Sequence, residues 1–156
     1  MRLGRDWIWL TLLFGGAAYC AFSWPAAAAE RPGLRAVLDA IRFVESSGRA
    51  NPPDGDGGRA IGPYQIWKIY WTDAVKQEPK LGHGTYQDCR RLDYAERVIT
   101  AYMQRYAPDA WERVEAETIA RIHNGGPKGY QKAATLPYWR KVEAALQRGA
   151  SVRADG

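Results

Sequence analysis

Leu34-Arg-Ala-Val-Leu-Asp-Ala-Ile-Arg-Phe-Val-Glu-Ser-Ser-Gly48 is the stretch on which the fold turns. Leu34, Val37, Leu38, Ile41 and Val44 recur at steps of three and four, the spacing of one face of an α-helix. Glu45 comes four residues after Ile41 and seven after Leu38, so a carboxylate continues the apolar stripe instead of joining the polar face. Burial on such a stripe raises a carboxyl pKa. A Glu held protonated near neutral pH is what a general acid requires. The competing reading is a helix-end Glu that turns to solvent at Ser46-Ser47-Gly48.

Outward from this helix, the segment Ser46 to Gly62 is rich in glycine and holds Pro52, Pro53, Asp54 and Asp56, which predicts a structured loop or short hairpin. Pro63 is expected to open a second helix at its first position, running to about Gln77. Pro79 to Asp88 reads as another loop. Leu92, Ala95, Val98, Ile99, Tyr102, Met103 and Tyr106 predict a third helix. Pro108 and Asp109 stop it and open the next, which runs towards His123 with a break near Glu115. Asn124 to Pro127 reads as a turn. Leu136 to Arg148 forms a last helix, with Trp139, Val142 and Leu146 on one face. The expectation is one mainly helical domain with a small loop or β-hairpin insert after the first helix.

Composition agrees with one ordinary globular domain. The chain has 156 residues, 46% hydrophobic and 25% charged, which excludes a disordered chain, a fibre and a multi-domain machine. Two cysteines exclude a disulfide-dense miniprotein. Nine Tyr and seven Trp suggest aromatic surface of the kind sugar and peptide clefts use. At the N-terminus, Arg2 and Arg5 precede an apolar run from Trp7 to Phe22, and Ala26 to Ala29 offers small residues. This reads as a secretory signal peptide, residues 1–29, leaving a domain over 30–156. The bulky Tyr19 before Cys20 argues against a lipoprotein site. The remaining stretch is mildly basic, which suits a polyanionic partner such as a cell wall or nucleic acid.

Two clusters besides the first helix carry chemistry. Asp54-Gly-Asp56-Gly-Gly-Arg-Ala-Ile-Gly-Pro-Tyr-Gln-Ile66 begins like a calcium loop. It departs from the EF-hand pattern at Gly58, Arg59 and Gln65. The better reading is a loop that returns an Asp over the end of the first helix, since glycoside hydrolysis needs two carboxylates on facing elements. Ala120-Arg-Ile-His-Asn-Gly-Gly-Pro127 ends a helix and either caps it or offers amides to a ligand. His83 and His123 are the only histidines and no cysteine pair accompanies them, so no metal is expected. No cofactor is expected either.

The words Val44-Glu-Ser-Ser-Gly48, Gly62-Pro-Tyr-Gln-Ile66, Tyr70-Trp-Thr-Asp73, Ala101-Tyr-Met-Gln-Arg-Tyr106, Ala120-Arg-Ile-His-Asn-Gly-Gly-Pro127 and Tyr138-Trp139 together resemble the invertebrate-type lysozyme, or destabilase, family. They stand in the family's order over roughly Ala36 to Val142. The resemblance implies a lysozyme-like fold with a substrate cleft between helices. It implies Glu45 as general acid and, as second acid, an Asp in the loop before the G-x-x-Q-I word. Asp54 and Asp56 compete for that role, and Asp56 fits the family spacing better. Tyr64, Gln65, His123, Asn124 and Gly125 are the expected sugar-lining residues.

The implied activity is that of a secreted or periplasmic muramidase acting on peptidoglycan, as a monomer, with no nucleic acid and no membrane insertion after signal cleavage. Two other readings remain at this level, a lytic transglycosylase using Glu45 alone and a peptidoglycan-binding protein without turnover. Some destabilases carry an isopeptidase activity, but no serine for it maps onto this sequence. One departure from the family is plain. Animal members are rich in disulfides, whereas Cys89 has no partner here and Arg49 stands where a cysteine often follows the Glu-Ser-Gly word.

Overall fold

A computed structural model of the chain describes residues 32–154. The expected signal peptide, residues 1–29, lies outside them. Helix α1 spans Leu34–Ser46 and buries Val37, Leu38, Ala40 and Ile41, as its stripe predicts. It ends because Ser47 and Gly48 both take left-handed backbone, with φ of 55° and 73°. The Ser47 amide closes the last turn by donating to the Phe43 carbonyl at 2.8 Å.

The insert after α1 is a hairpin. Strand β1, Ala60–Ile61, pairs antiparallel with β2, Ile66–Trp67, in the register Ala60 to Trp67 and Ile61 to Ile66. An isolated bridge from Gly55 to Ala60 folds the preceding segment back onto the hairpin, and Asp56–Gly58 forms a 3-10 turn between them. The helix expected to begin at Pro63 begins five residues later. Gly62 to Gln65 is the hairpin turn, closed by the Gln65 amide donating to the Gly62 carbonyl at 3.0 Å. The fixed φ of Pro63 serves that turn as well as it would serve a helix start, which is why the sequence misleads here. Helix α2 is Lys68–Gln77.

Two 3-10 turns, Pro79–His83 and Tyr86–Arg90, lead into α3, Leu92–Tyr106. Pro108 opens α4, Pro108–Glu112, and Val114, with φ of 52°, makes the expected break before α5, Ala116–Gly125. After two more 3-10 turns, α6 runs from Leu136 to Ala154, past the expected end at Arg148. Among the described residues, no helix is long and apolar enough to cross a membrane.

α1 packs on α6, α2 on α3, and α5 touches α1, α3 and α6. Val37, Ile41, Ile99, Met103, Ile119, Ile122 and Val142 are sealed between them at zero exposure. Each such aliphatic side chain contributes about 1.5–3 kcal/mol relative to exposure. The hairpin is dovetailed to this core at Gly62. Its φ is 74°, and a Cβ there would fall onto the backbone carbonyl of Cys89. Only glycine permits that approach. Tyr86 fixes the other side, its hydroxyl lying between the carbonyls of Arg59 and Ile66 at 2.8 and 2.7 Å.

Candidate active site

The end of α1, the Asp56 turn, β2 and the end of α5 converge on one cavity. It measures about 290 Å³, and Glu45, Asp56, Gln65, Trp67, His123 and Asn124 line it. A second cavity of about 330 Å³ adjoins it and shares Gln65, Trp67, His123 and Asn124. Tyr70, Tyr102 and Pro127 extend its walls. The two form a continuous groove, polar at the Glu45 end and more apolar beyond His123.

Glu45 sits in the last turn of α1, largely withdrawn from water. Burial above all, with the negative charge of Asp56 adding to it, raises its carboxyl, which stands at about 7. Two groups oppose these effects. Tyr138, on α6, donates its hydroxyl to Glu45 Oε1 at 2.7 Å, and Lys141 adds a favourable charge. The net result is a carboxyl that holds its proton near neutrality.

Asp56 and Asp54 are two residues apart and differently engaged. Asp54 makes a bidentate ion pair with the Arg90 guanidinium, which holds its carboxyl below the usual range. That pair pins the loop to the Tyr86–Arg90 turn. Asp56 is exposed, has a positive φ of 48°, and lines the Glu45 cavity. Among the described residues, no side chain hydrogen-bonds its carboxylate. Its own carbonyl accepts from Arg59 Nε at 2.9 Å, which fixes the turn without occupying the acid.

His123 is 3% exposed, and burial lowers its pKa to about 4. It is therefore neutral, and its 3.7 Å approach to Glu45 Oε1 is not an ion pair. Nε2 lies 3.1 Å from the Tyr64 carbonyl, an acceptor only, so Nε2 carries the hydrogen. Nδ1 is left as a buried acceptor without a partner among the described residues. Gln65 Nε2 donates to the Gly62 carbonyl at 2.9 Å and to the Pro53 carbonyl at 3.3 Å. This ties the hairpin turn to the segment that leads into the Asp56 turn.

Two of the residues expected to line the groove do not offer side chains to it. Tyr64 is fully buried, and its hydroxyl donates to Glu96 Oε1 at 2.8 Å while accepting from Arg35 Nη2 at 3.2 Å. It meets the site from behind, through the carbonyl that orients His123 and edge-on against that ring, with centroids 6.3 Å apart. The reversal of direction at Gly62–Gln65 turns its ring inward. Gly125 packs against Thr135 Cγ2, and its carbonyl accepts from Lys132 Nζ at 2.6 Å. Gln65, His123 and Asn124 do reach the groove.

Sequence reasoning passed over Tyr138 and Trp67. Tyr138 lies in one of the matched words, which signalled its importance without its role. Trp67 is 39% exposed beside Asp56, with the Arg59 guanidinium 4.7 Å from its ring centre. The helix expected from Pro63 to about Gln77 took in Trp67 as an ordinary helical residue.

The family model described as Destabilase matches residues 37–145. Lysozyme of Magallana gigas is 38% identical over 95 residues, covering 60% of this chain and 63% of that one. Lysozyme 1 of Crassostrea virginica is 38% identical over 86 residues, covering 54% and 44%. The chain thus spans less than two thirds of the length of either relative. The crystal structure of Aeromonas hydrophila PliI in complex with Meretrix lusoria lysozyme superposes with a TM-score of 0.57 at 28% identity, covering 70% of this chain and 88% of that one. A family match over most of the described helices, together with a shared lysozyme-like fold, makes this chain a member of the destabilase family.

Proposed function

We propose that the chain is a muramidase that hydrolyses the β-1,4 bond between N-acetylmuramic acid and N-acetylglucosamine in peptidoglycan. The observation that carries this reading is the pairing of Glu45, pushed up to about 7, with the exposed and uncommitted carboxylate of Asp56 across one cavity. Glu45 protonates the leaving glycosidic oxygen. Asp56 attacks or stabilises the developing positive charge at the anomeric carbon. Glu45 then takes a proton from the incoming water, so the anomeric configuration is retained. Lysozyme is itself the type case of this two-carboxylate scheme, which is carried over here to residues of this chain. Gln65 and Asn124 offer hydrogen-bonding partners to sugar amides and hydroxyls, the buried His123 ring backs the wall beside them, and Trp67 offers a stacking face.

The N-terminal sequence supports delivery across a membrane to the wall, in the periplasm or outside the cell. The presence of Asp56 opposite Glu45 favours hydrolysis over transglycosylation, which needs one Glu alone.

The test is mass spectrometry of muropeptides after digestion of purified peptidoglycan. Reducing-end N-acetylmuramic acid is expected, without 1,6-anhydro ends. Glu45→Gln is expected to lose at least about 10²-fold in rate with its circular dichroism unchanged. Anhydro products would make the enzyme a transglycosylase. A Glu45→Gln variant that lyses wall within threefold of wild type would move the acid elsewhere, and binding without turnover by the wild type would make this a wall-binding protein.

A further inference from the structure

A second groove opens beside the first, between the end of α1 and the exposed face of α6. It encloses about 480 Å³, with Phe43, Ser47, Arg140, Lys141, Ala144 and Arg148 among its walls. Arg140, Ala144 and Arg148 follow one another at four-residue steps, so they form one stripe along α6. Ala144 leaves the floor low between two guanidinium groups. Phe43 is 50% exposed, and Arg148 stands 5.3 Å from its ring centre. Among the described residues, Arg140, Lys141 and Arg148 form no ion pair, whereas Arg35, Arg90, Arg91 and Arg121 each hold a carboxylate.

This groove lies at the same end of α1 as the candidate active site, and Lys141 links the two. Val44, which precedes Glu45 on α1, and Ser47, just past the helix end, belong to its wall. Lys141 lies one helical turn beyond Tyr138, the residue that holds Glu45, and is near enough to act on the Glu45 charge. A chain bound at Glu45 has, at that end of α1, a surface with three cations that hold no carboxylate among the described residues and an apolar wall.

We propose that this groove is a subsite for the peptide stems of peptidoglycan, binding their carboxylates at Arg140, Lys141 and Arg148 and their small apolar side chains against Phe43 and Ala144. The proposal rests on the muramidase reading and sharpens its substrate: strands that carry peptide stems are preferred to uncharged or stripped glycan. A peptide with methyl side chains and free carboxylates matches both the cations and the apolar wall. A bare polyphosphate would use the cations and leave Phe43 idle.

The test uses Arg140→Gln/Arg148→Gln, leaving Lys141 in place because it also bears on Glu45. Three substrates are compared: peptidoglycan freed of wall phosphopolymers, the same material with its stems removed by an amidase, and stem-free wall that retains its phosphopolymers. The double variant is expected to lose about fivefold in kcat/KM on the first, since each exposed ion pair contributes modestly. Its loss on stem-free glycan should stay under twofold. Raising salt should lower wild-type activity selectively on the stem-bearing substrate.

Co-sedimentation of the Glu45→Gln protein with the same three substrates reads the subsite without turnover. The arginine changes should weaken its binding only where stems are present. Equal losses on stem-bearing and stripped glycan, or none on either, would overturn the subsite. An effect that follows the phosphopolymers would overturn it as well. Stem-dependent binding with no cleavage by wild type would leave the subsite standing and remove the muramidase reading.

Discussion

Tyr138→Phe isolates the hydrogen bond that tunes Glu45. The tyrosine hydroxyl donates to Glu45 Oε1 at 2.7 Å, and a donor favours the ionised carboxylate over the acid. The ring stays in place in the variant, so the burial that raises Glu45 is kept and the one hydrogen-bonding contribution that lowers it is removed. A net hydrogen bond to a charged acceptor is worth about 1.5–3 kcal/mol, against about 0.5–1.5 for a neutral one. The difference of about 1 kcal/mol corresponds to about 0.7 of a pH unit.

Glu45 should therefore titrate above its wild-type value of about 7. Because the general acid works only when protonated, the alkaline limb of the kcat/KM profile should move up by about 0.7 of a unit. The rate on the plateau should fall a few-fold, since Oε1 loses its anchor and the carboxyl can rotate. The assay is turbidity loss of wall suspensions from pH 4 to 10, with unfolding midpoints measured alongside. An alkaline limb that stays put, or moves down, would refute the assignment of Tyr138 as donor to the acid.

Three further outcomes follow from the site and its scaffold. Asp56→Asn should cut activity at least tenfold, whereas Asp54→Asn, which loses only its exposed pair with Arg90, should cost less than threefold in the same lysis assay. His123 is held at about 4, below its ordinary 6.5, so its contribution to stability is whole above pH 6.5 and is lost as pH falls towards 4. Glu45, raised to about 7, contributes the opposite trend over much of the same interval, so the readout is the stability difference between wild type and His123→Gln, which should move against wild type by about 3 kcal/mol as the pH falls from 6.5 to 4. Gly62→Ala should lower stability by at least about 2 kcal/mol, because a strained φ and a clash with the Cys89 carbonyl combine. Gly57→Ala, with φ of 66° and open space around it, should cost about half as much by the same thermal melt.

The helical part of the fold is legible because periodicity is local. The stripe from Leu34 to Val44 contains its own evidence, as do the stripes in α3 and α6. The hairpin is less so. Its strands are two residues each, too short to alternate visibly, and Pro63 is compatible with both a turn and a helix start. That ambiguity also misplaced Tyr64, whose ring direction depends on the left-handed residues at Gly62 and Gln65. Glu45 showed itself as a polar residue on an apolar stripe. Tyr138 did not, since its partner stands 93 residues away and no spacing rule joins two helices at that distance. The family spacing favoured Asp56 over Asp54; the ion pair that engages Asp54 was not legible, because Arg90 stands 36 residues beyond it.

The contact between Glu45 and Tyr138 also has a temporal consequence. The acid is made early in synthesis and the residue that holds it is made late. Until α6 emerges and docks, Glu45 has neither its Tyr138 hydrogen bond nor the helix that α1 packs against. Closing a loop of that length is slow compared with forming α1 or α3. On refolding from denaturant, helical signal should therefore return before lytic activity, and the lag between them measures the docking of the last helix.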